Sequence, residues 1–452
     1  MNHTPTTLNR RGFLKSSAAF ASLTFLPSAS WARIAQGRIR TAHIGVGDMG
    51  ASDLQSIASH PLVEVAALCD VDANFLAAAK ALYPGAKTYR DYRVLLEEMG
   101  SQIDAVVVST PDHTHAPASL LAMALNKPVY CQKPLTHHIS EARKMAKMAG
   151  DRGLVSQMGI QVHSFYDYKL ATLLIQSGII GKVSRVRAWS PKNWGIDAAP
   201  PTGSDPVPGT LDWNLWLGTA PERKYKDGLY HPENWRKLLD YGCGTLGDMG
   251  VHIFDTPFNA LDLKYPTTVR TECREPNGYS HPERNVVTYE FPATAYTTEA
   301  FQWIWYDGEG APASHPDLVL PGGEALPEQG AMFVGEKGNL LLPHFMQLPR
   351  LIVNGKYEKL DMPKIQKDFG IGPPVRNYNE EGNRHYHQFI DACLGKAECS
   401  APFSYAARLT ETILLGVVAN RFPNRTLNWD AASQMFKEQE VNGLLDAGYR
   451  KF

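Results

Sequence analysis

A glycine triplet set between a strand and a helix narrows the folds open to this chain. Ile39-Arg40-Thr41-Ala42-His43-Ile44 has the composition of a strand and runs directly into Gly45-Val46-Gly47-Asp48-Met49-Gly50, after which residues 51–59 read as a helix. A second apolar stretch, 63–70, ends in Asp70, 20 positions beyond Gly50. This order and spacing predict a dinucleotide-binding βαβ unit. Gly45 would permit the tight turn, Gly47 the close approach of backbone to a pyrophosphate, and Gly50 the packing of helix on strand. Asp48 and Met49 lie in the same turn, where the helix N-terminus offers N–H groups to phosphate oxygens. An acidic Asp70 can accept both ribose hydroxyls and repels a 2'-phosphate, which favours NAD over NADP.

The alternation continues. Helices are predicted over 74–82, 91–98 and 116–125, with strands over 105–109 and 128–131. Strand and helix in this rhythm form a doubly wound parallel sheet, and ligands sit outside the carboxyl ends of its strands. Thr110-Pro111-Asp112-His113-Thr114-His115 and Gln132-Lys133-Pro134-Leu135 both fall there.

The 452 residues are 44% hydrophobic, with 45 Lys+Arg against 46 Asp+Glu, which suits two globular domains. Near-neutral charge without a basic stripe argues against nucleic-acid binding. No apolar run approaches the roughly 20 residues of a membrane span. Six cysteines, at 69, 131, 243, 273, 393 and 399, contain no Cys-x-x-Cys pair, so neither a disulfide framework nor a zinc site is expected. Residues 1–32 resemble a twin-arginine export signal: Arg10-Arg11-Gly12-Phe13-Leu14-Lys15, an Ala/Ser/Leu/Phe-rich stretch, then Ser30-Trp31-Ala32. The resemblance implies a periplasmic or otherwise exported protein, delivered already folded by the twin-arginine machinery.

Beyond residue 153, a helix is predicted over 163–176 and strands over 183–189, 267–272, 285–291, 299–306 and 331–334, separated by turns or loops. Such a sheet is mainly antiparallel. The Pro/Gly-rich stretch 192–210 reads as a loop, and a helix is predicted over 405–420. The expected architecture is an α/β chain: an N-terminal Rossmann domain, 38–155, and a C-terminal α+β domain, 156–452, with an open sheet.

Gly242-Cys243-Gly244-Thr245-Leu246-Gly247-Asp248-Met249-Gly250-Val251-His252 opens another helix. With the glycine fingerprint, the Thr-Pro-x-His-x-His strand end and the Lys-Pro pair in this order, the chain resembles the glucose-fructose oxidoreductase, inositol dehydrogenase and rhizopine-catabolism (Gfo/Idh/MocA) family. The resemblance implies a catalytic Lys133 with Asp248 and His252 as the acidic and histidine partners, and a sheet face that joins subunits into a homo-oligomer. Gln132 stands where the family's usual Glu precedes the lysine, which removes a negative charge beside the ammonium. Asp248 and His252, four apart on a helix, share a face, and the carboxylate is expected to orient the ring and favour its protonated form. In isolation the pair also suits a capping Asp and a core histidine. Two metal-compatible side chains do not make a metal site, and none is expected.

Thr110, Pro111, His113, His115, Gln161 and Trp213 are candidate cofactor contacts beside Lys133. His231 and Arg236, in Tyr230-His231-Pro232-Glu233-Asn234-Trp235-Arg236, are candidate substrate contacts with Lys133, Asp248 and His252. The expected activity is NAD-dependent hydride transfer at a secondary hydroxyl of a sugar, polyol or glycoside, with the nicotinamide held tightly. Two alternatives stay open: an NAD-dependent glycoside hydrolase or lyase working through a transient 3-keto sugar, and a non-catalytic sugar-binding protein.

Overall fold

The computed structural model describes residues 37–312 and 314–452, and the expected export segment lies outside them. Its first domain contains β1 (Ile39–Ile44), α1 (Met49–Ala58), β2 (Val63–Cys69), α2 (Ala73–Leu82), β3 (Lys87–Tyr89), α3 (Tyr92–Met99), β4 (Ala105–Val108), α4 (Asp112–Ala124), β5 (Val129–Cys131), α5 (Ile139–Arg152) and β6 (Ser156–Met158). The six strands are all parallel, in the order β3-β2-β1-β4-β5-β6. Strand direction of growth reverses between β1 and β4, which opens a crevice there. All four residues of β4 are buried, as expected of a central strand covered on both faces. β6 carries this sheet past the expected boundary at 155. The short Ser-Gln-Met strand has no alternation to reveal it, and only its pairing with β5 defines it.

The second domain is built on α6 (Tyr166–Gln176), β7 (Val183–Ser190), α7 (Trp213–Leu217), α8 (Val251–Ala260), β8 (Thr268–Glu272), β9 (Asn285–Phe291), β10 (Thr297–Asp307), β11 (Gly330–Gly335), β12 (Asn339–Pro343), β13 (Arg350–Val353), β14 (Lys356–Glu358), α9 (Met362–Phe369), α10 (Tyr378–Cys393), α11 (Phe403–Ala419), β15 (Thr426–Asp430) and β16 (Met435–Phe436). Its ten strands run β14-β13-β12-β11-β7-β10-β9-β8-β15-β16. The sheet is antiparallel except between β7 and β10, so the expected character holds. The helix expected over 163–176 divides into a 3-10 turn, Gln161–Ser164, and α6.

Two C-terminal helices return across the domain boundary. Tyr386, Phe389 and Ile390 of α10 share a buried cluster with Ile39, Ile57, Val107 and Tyr130 of the first sheet and α1. α11 packs along α5, where Arg143 meets the buried Glu411 at 2.6 Å. A boundary drawn by sequence position alone therefore misassigns α10, whose apolar face is completed by the nucleotide-side sheet. The segment around Leu211 also folds back: Ala73 N–H donates to Thr210 O and Asp212 N–H to Val71 O. The chain end fastens this segment, with Arg450 N–H donating to Thr219 O and Arg93 to Phe452 O.

Candidate active site

A cleft of about 640 Å³ lies along the carboxyl ends of β1, β4 and β5 and extends to the first turns of α8. Its nucleotide half is built by the turn after β1. Gly45 has φ +82°, and a Cβ at Gly50 would stand 2.3 Å from Gly45 O, so the first turn of α1 closes on the turn only without a side chain. Gly47 faces the ring of Phe75 rather than open space, a contact the glycine pattern does not foretell. Asp48 has φ +45°, and no side chain caps α1. Asp70 accepts the N–H groups of Val46 and Asp72, each at 2.9 Å, and thus ties β2 to the glycine turn. Burial raises its carboxyl above the ordinary value.

Gly45, Gly47, Asp48, Met49, Gly50, Asp70, Thr110, Pro111, His115, Lys133 and Gln161 all line this cleft. His115 joins two strand ends, its ring nitrogens meeting Pro134 O at 2.9 Å and Thr110 O at 2.8 Å. Two expected contacts are corrected. His113 is buried against Tyr241 and Trp216, with Nε2 at 3.1 Å from Trp216 O, and is absent from the cleft wall. Trp213 stacks on Trp216 at 4.8 Å inside an aromatic cluster, and Trp216 lines the cleft in its place. Helical turns rotated each of these side chains toward aromatic partners, which sequence spacing could not show.

The other half of the cleft brings Lys133, Asp248 and His252 together. Lys133 leaves the end of β5 and donates to Asp248 Oδ1 at 2.6 Å and to its main-chain O at 3.1 Å. Asp248 lies in a π-helical turn, Leu246–Gly250, ahead of α8. Such widened turns commonly occur at functional sites. Its Oδ2 accepts Trp194 Nε1–H at 2.7 Å, and Arg236 Nε stands 3.5 Å from Oδ1. Burial works to raise this carboxyl, but Lys133 and Arg236 outweigh it and hold it far below the usual range. Arg236 in turn lies over the rings of Trp235 and Trp194.

The expected orientation of His252 by Asp248 is not what the fold provides. The carboxylate oxygens are taken by Lys133 and Trp194, and His252 Nδ1 is buried with no hydrogen-bond partner among the described residues. Burial, reinforced by Lys133 and His344, pushes the imidazole well below its ordinary pKa, against the pull of Asp248. His252 is therefore neutral near pH 7, not protonated. Its ring stands 6.1 Å from that of His344, which bonds the Tyr168 hydroxyl.

Arg236 joins this group. His231 lines the same cleft but lies apart from this group: its Nε2 meets Asp72 at 3.0 Å and its ring lies 5.4 Å from Phe75, on the Asp70 side. The fold-back of residues 210–241 over the end of β2 moves it there. Lys192, Trp194, Gln329, His344 and Phe345 also line the cleft. They come from loops without periodicity, and no sequence signal marks them. Among the described residues, no group of three or more His, Cys, Asp or Glu side chains could hold a metal.

Gln132 is itself bonded to a buried carboxyl. Asp53, fully buried on α1, accepts Gln132 Nε2–H at 2.9 Å with both oxygens.

Comparison with known proteins follows the same division. Residues 39–160 match a family model described as "Oxidoreductase family, NAD-binding Rossmann fold", and 171–293 match "Oxidoreductase family, C-terminal alpha/beta domain". The inositol 2-dehydrogenase 2 of Saccharopolyspora erythraea is 33% identical over 286 residues, 60% of this chain and 77% of that one. A glycosyl hydrolase family 109 protein of Stenotrophomonas maltophilia is 32% identical over 194 residues, 40% of this chain and 42% of that protein, less than half its length. The crystal structure of an oxidoreductase domain protein from Kribbella flavida superposes with TM-score 0.61 at 20% identity, over 86% of this chain and 99% of the other, a likeness of fold. With residues 39–160 and 171–293 matched by the two models and 77% of an inositol dehydrogenase spanned at 33% identity, the chain belongs to the Gfo/Idh/MocA oxidoreductase family.

Proposed function

We propose that the protein transfers hydride between NAD held in this cleft and a secondary hydroxyl of a sugar, polyol or glycoside. One observation carries the reading: Lys133, paired with Asp248, and a neutral His252 line the same cleft as the glycine turn and Asp70. The residues fit the nucleotide. The turn after β1 admits no side chain at Gly50, α1 has no side-chain cap to compete with phosphate, and Asp70 lines the wall where a ribose would lie.

When bound, the nicotinamide supplies the hydride acceptor or donor. The chain's own residues handle the proton and the charge. Of the three N–H bonds on Lys133 Nζ, Asp248 takes two, leaving one for the substrate oxygen as it becomes a carbonyl. His252 is neutral and so can accept the hydroxyl proton as the C–H bond breaks. Asp248 holds the lysine in place and balances Lys133 and Arg236. In the reducing direction, the same proton returns from His252 to the oxygen.

Lys133→Ala and His252→Ala should each lower turnover by at least about a hundredfold while leaving NAD affinity within a few-fold. The measurement is absorbance at 340 nm with a panel of sugars and glycosides, beside calorimetric titration with NAD. Unchanged turnover in both variants refutes the mechanism. The likeness to the family 109 glycosyl hydrolase supports a second reading, in which oxidation, elimination and re-reduction cleave a glycoside with no net redox change. Glycoside cleavage without accumulation of NADH distinguishes it. Export by the twin-arginine route belongs to the same proposal. It implies a nucleotide retained through the catalytic cycle, because free nicotinamide is scarce outside the cytoplasm. Replacing Arg10 and Arg11 by Lys should leave the protein in the cytoplasmic fraction. Assembly through the open sheet face is also expected, and sedimentation equilibrium tests it.

A further inference from the structure

The geometry points to Asp53 as a positioning residue for Lys133, acting through Gln132 from beneath the cleft floor. The inference rests on the reading of Lys133 as the group that meets the substrate oxygen.

Asp53 sits on the inward side of α1 and is 0% exposed. Its Oδ1 accepts the Tyr386 hydroxyl at 2.6 Å, and its Oδ2 accepts the Ser109 hydroxyl at 2.6 Å. Gln132 Nε2 donates to both oxygens at 2.9 Å. Every partner is a donor, which is the environment of an ionised carboxylate. The amide orientation of Gln132 follows from this, since Nε2 must face the carboxylate. Oε1 is then left to accept the main-chain N–H of Lys133 at 3.1 Å. On its other side Gln132 is packed against Gly159, where a Cβ would stand 2.9 Å from the amide. Gln132 thus has one place to lie, and Lys133 begins from a fixed backbone at the end of β5.

The same carboxylate reaches further. Gln161 Nε2 donates to the Tyr386 hydroxyl at 2.6 Å, so Asp53 organises Ser109, Gln132 and, through Tyr386, Gln161. All three line the cleft, whereas Asp53 and Tyr386 do not. Residues from β4, β5, the 3-10 turn and α10 meet on one buried charge. Burial pulls this carboxyl above its ordinary value, while the Ser109, Tyr386 and Gln132 donors and the nearby Lys133 favour its ionised form; Asp248 faces Lys133 across the cleft. A lysine that must hold a carboxylate at 2.6 Å depends on such support, because displacement by about 1 Å can cost about a hundredfold in rate.

The test uses the full mature protein with NAD bound. Asp53→Asn removes the charge and nearly keeps the shape. The exchange Asp53→Asn with Gln132→Glu restores one carboxylate and one amide in reversed order, with the new carboxylate still able to accept the Lys133 N–H. Two measurements are made on each folded variant: acetylation of Lys133 by acetic anhydride, followed by mass spectrometry, and turnover at 340 nm. Asp53→Asn should acetylate at Lys133 several-fold faster than the parent, because the Asp248 pair is loosened, and should lose about ten- to a hundredfold in turnover with NAD affinity within about threefold. The exchange should bring both values back to within about fivefold of the parent. If Asp53→Asn misfolds, the folded exchange variant alone decides, with parental acetylation and turnover expected. Parental acetylation of Lys133 in a folded Asp53→Asn protein, or failure of the exchange to restore it, overturns the positioning role. Acetylation reports on Asp53 without a substrate, so loss of the redox reading appears separately, as absence of turnover in the parent itself.

Discussion

Asp248→Asn tests how the cleft uses its central carboxylate. The substitution keeps the volume and removes a charge that meets Lys133 at 2.6 Å, Trp194 at 2.7 Å and Arg236 at 3.5 Å. The Lys133 and Asp248 side chains are 14% and 11% exposed, so the pair is screened far less than a surface ion pair. Unit charges about 4 Å apart interact by about 1 kcal/mol in water and about 4 kcal/mol at an effective dielectric constant of about 20. Removing one member of a buried pair typically costs about 3–5 kcal/mol. Taking about 3 kcal/mol as the part felt at the reacting oxygen, kcat/KM should fall by about 150-fold, since each 1.36 kcal/mol is about tenfold. Asp248 also opposes the depression of the His252 pKa, so its loss weakens the base as well. The assay is a double-mutant cycle with Lys133→Met at pH 7, with melting curves and NAD affinities for all four proteins. Because Asp248 acts largely by holding Lys133, the double variant should be no slower than the slower single within about threefold, a coupling of about 2–3 kcal/mol. Losses that multiply, with coupling below about 0.5 kcal/mol, refute the paired arrangement.

Gly50→Ala places a Cβ 2.3 Å from Gly45 O, and calorimetry should show NAD affinity reduced at least about tenfold, as about 1–3 kcal/mol of overpacking distorts the turn. Asp70→Ser removes the carboxylate at the expected ribose, and the ratio of NAD to NADP affinity should fall by about tenfold or more; an unchanged ratio would detach Asp70 from cofactor choice. Asp307 offers a pH test away from the cleft. Burial pushes its carboxyl up to about 8, and Oδ2 accepts Trp305 Nε1–H while Oδ1 is buried with no hydrogen-bond partner among the described residues. The folded state therefore binds a proton that the unfolded state releases near pH 4. The stability this contributes is full below about pH 4 and is lost as pH rises toward about 8, at about 1.4 kcal/mol per unit for this group. Asp307→Asn should leave melting near pH 4 nearly unchanged and raise it increasingly between pH 5 and pH 8. A constant difference across that range contradicts the assignment.

Local sequence was sufficient wherever a residue's role depended on its neighbours in the chain. The turn from Gly45 to Gly50, Asp70 at the end of β2 and Lys133 after β5 are set by the order of strand, turn and helix, and each was expected at the cleft. The antiparallel character of the second sheet followed from strands separated by short connections. Residues such as Lys192 and Trp194 lie in a Pro/Gly-rich loop with no period to read, and the helices α5, α9 and α10 carry patterns that take their meaning from the faces they cover.

The chain's own order thus dictated the nucleotide fold and the place of Lys133 at a strand end, because turn geometry and strand ends are local properties of the backbone, whereas Asp248 and His252 were singled out only by the family resemblance. Folding at long range decided their state. Lys133 and Asp248 are 115 positions apart, and their contact, with Trp194 on the second carboxylate oxygen, takes up the carboxylate expected to orient His252, while burial, with Lys133 nearby, holds that imidazole well below its ordinary pKa. Gln132, which stands without a charge, is met by the buried carboxyl of Asp53, 79 positions earlier. Burial and pairing of charge are set by what the whole fold brings into contact, and no spacing along the chain encodes them.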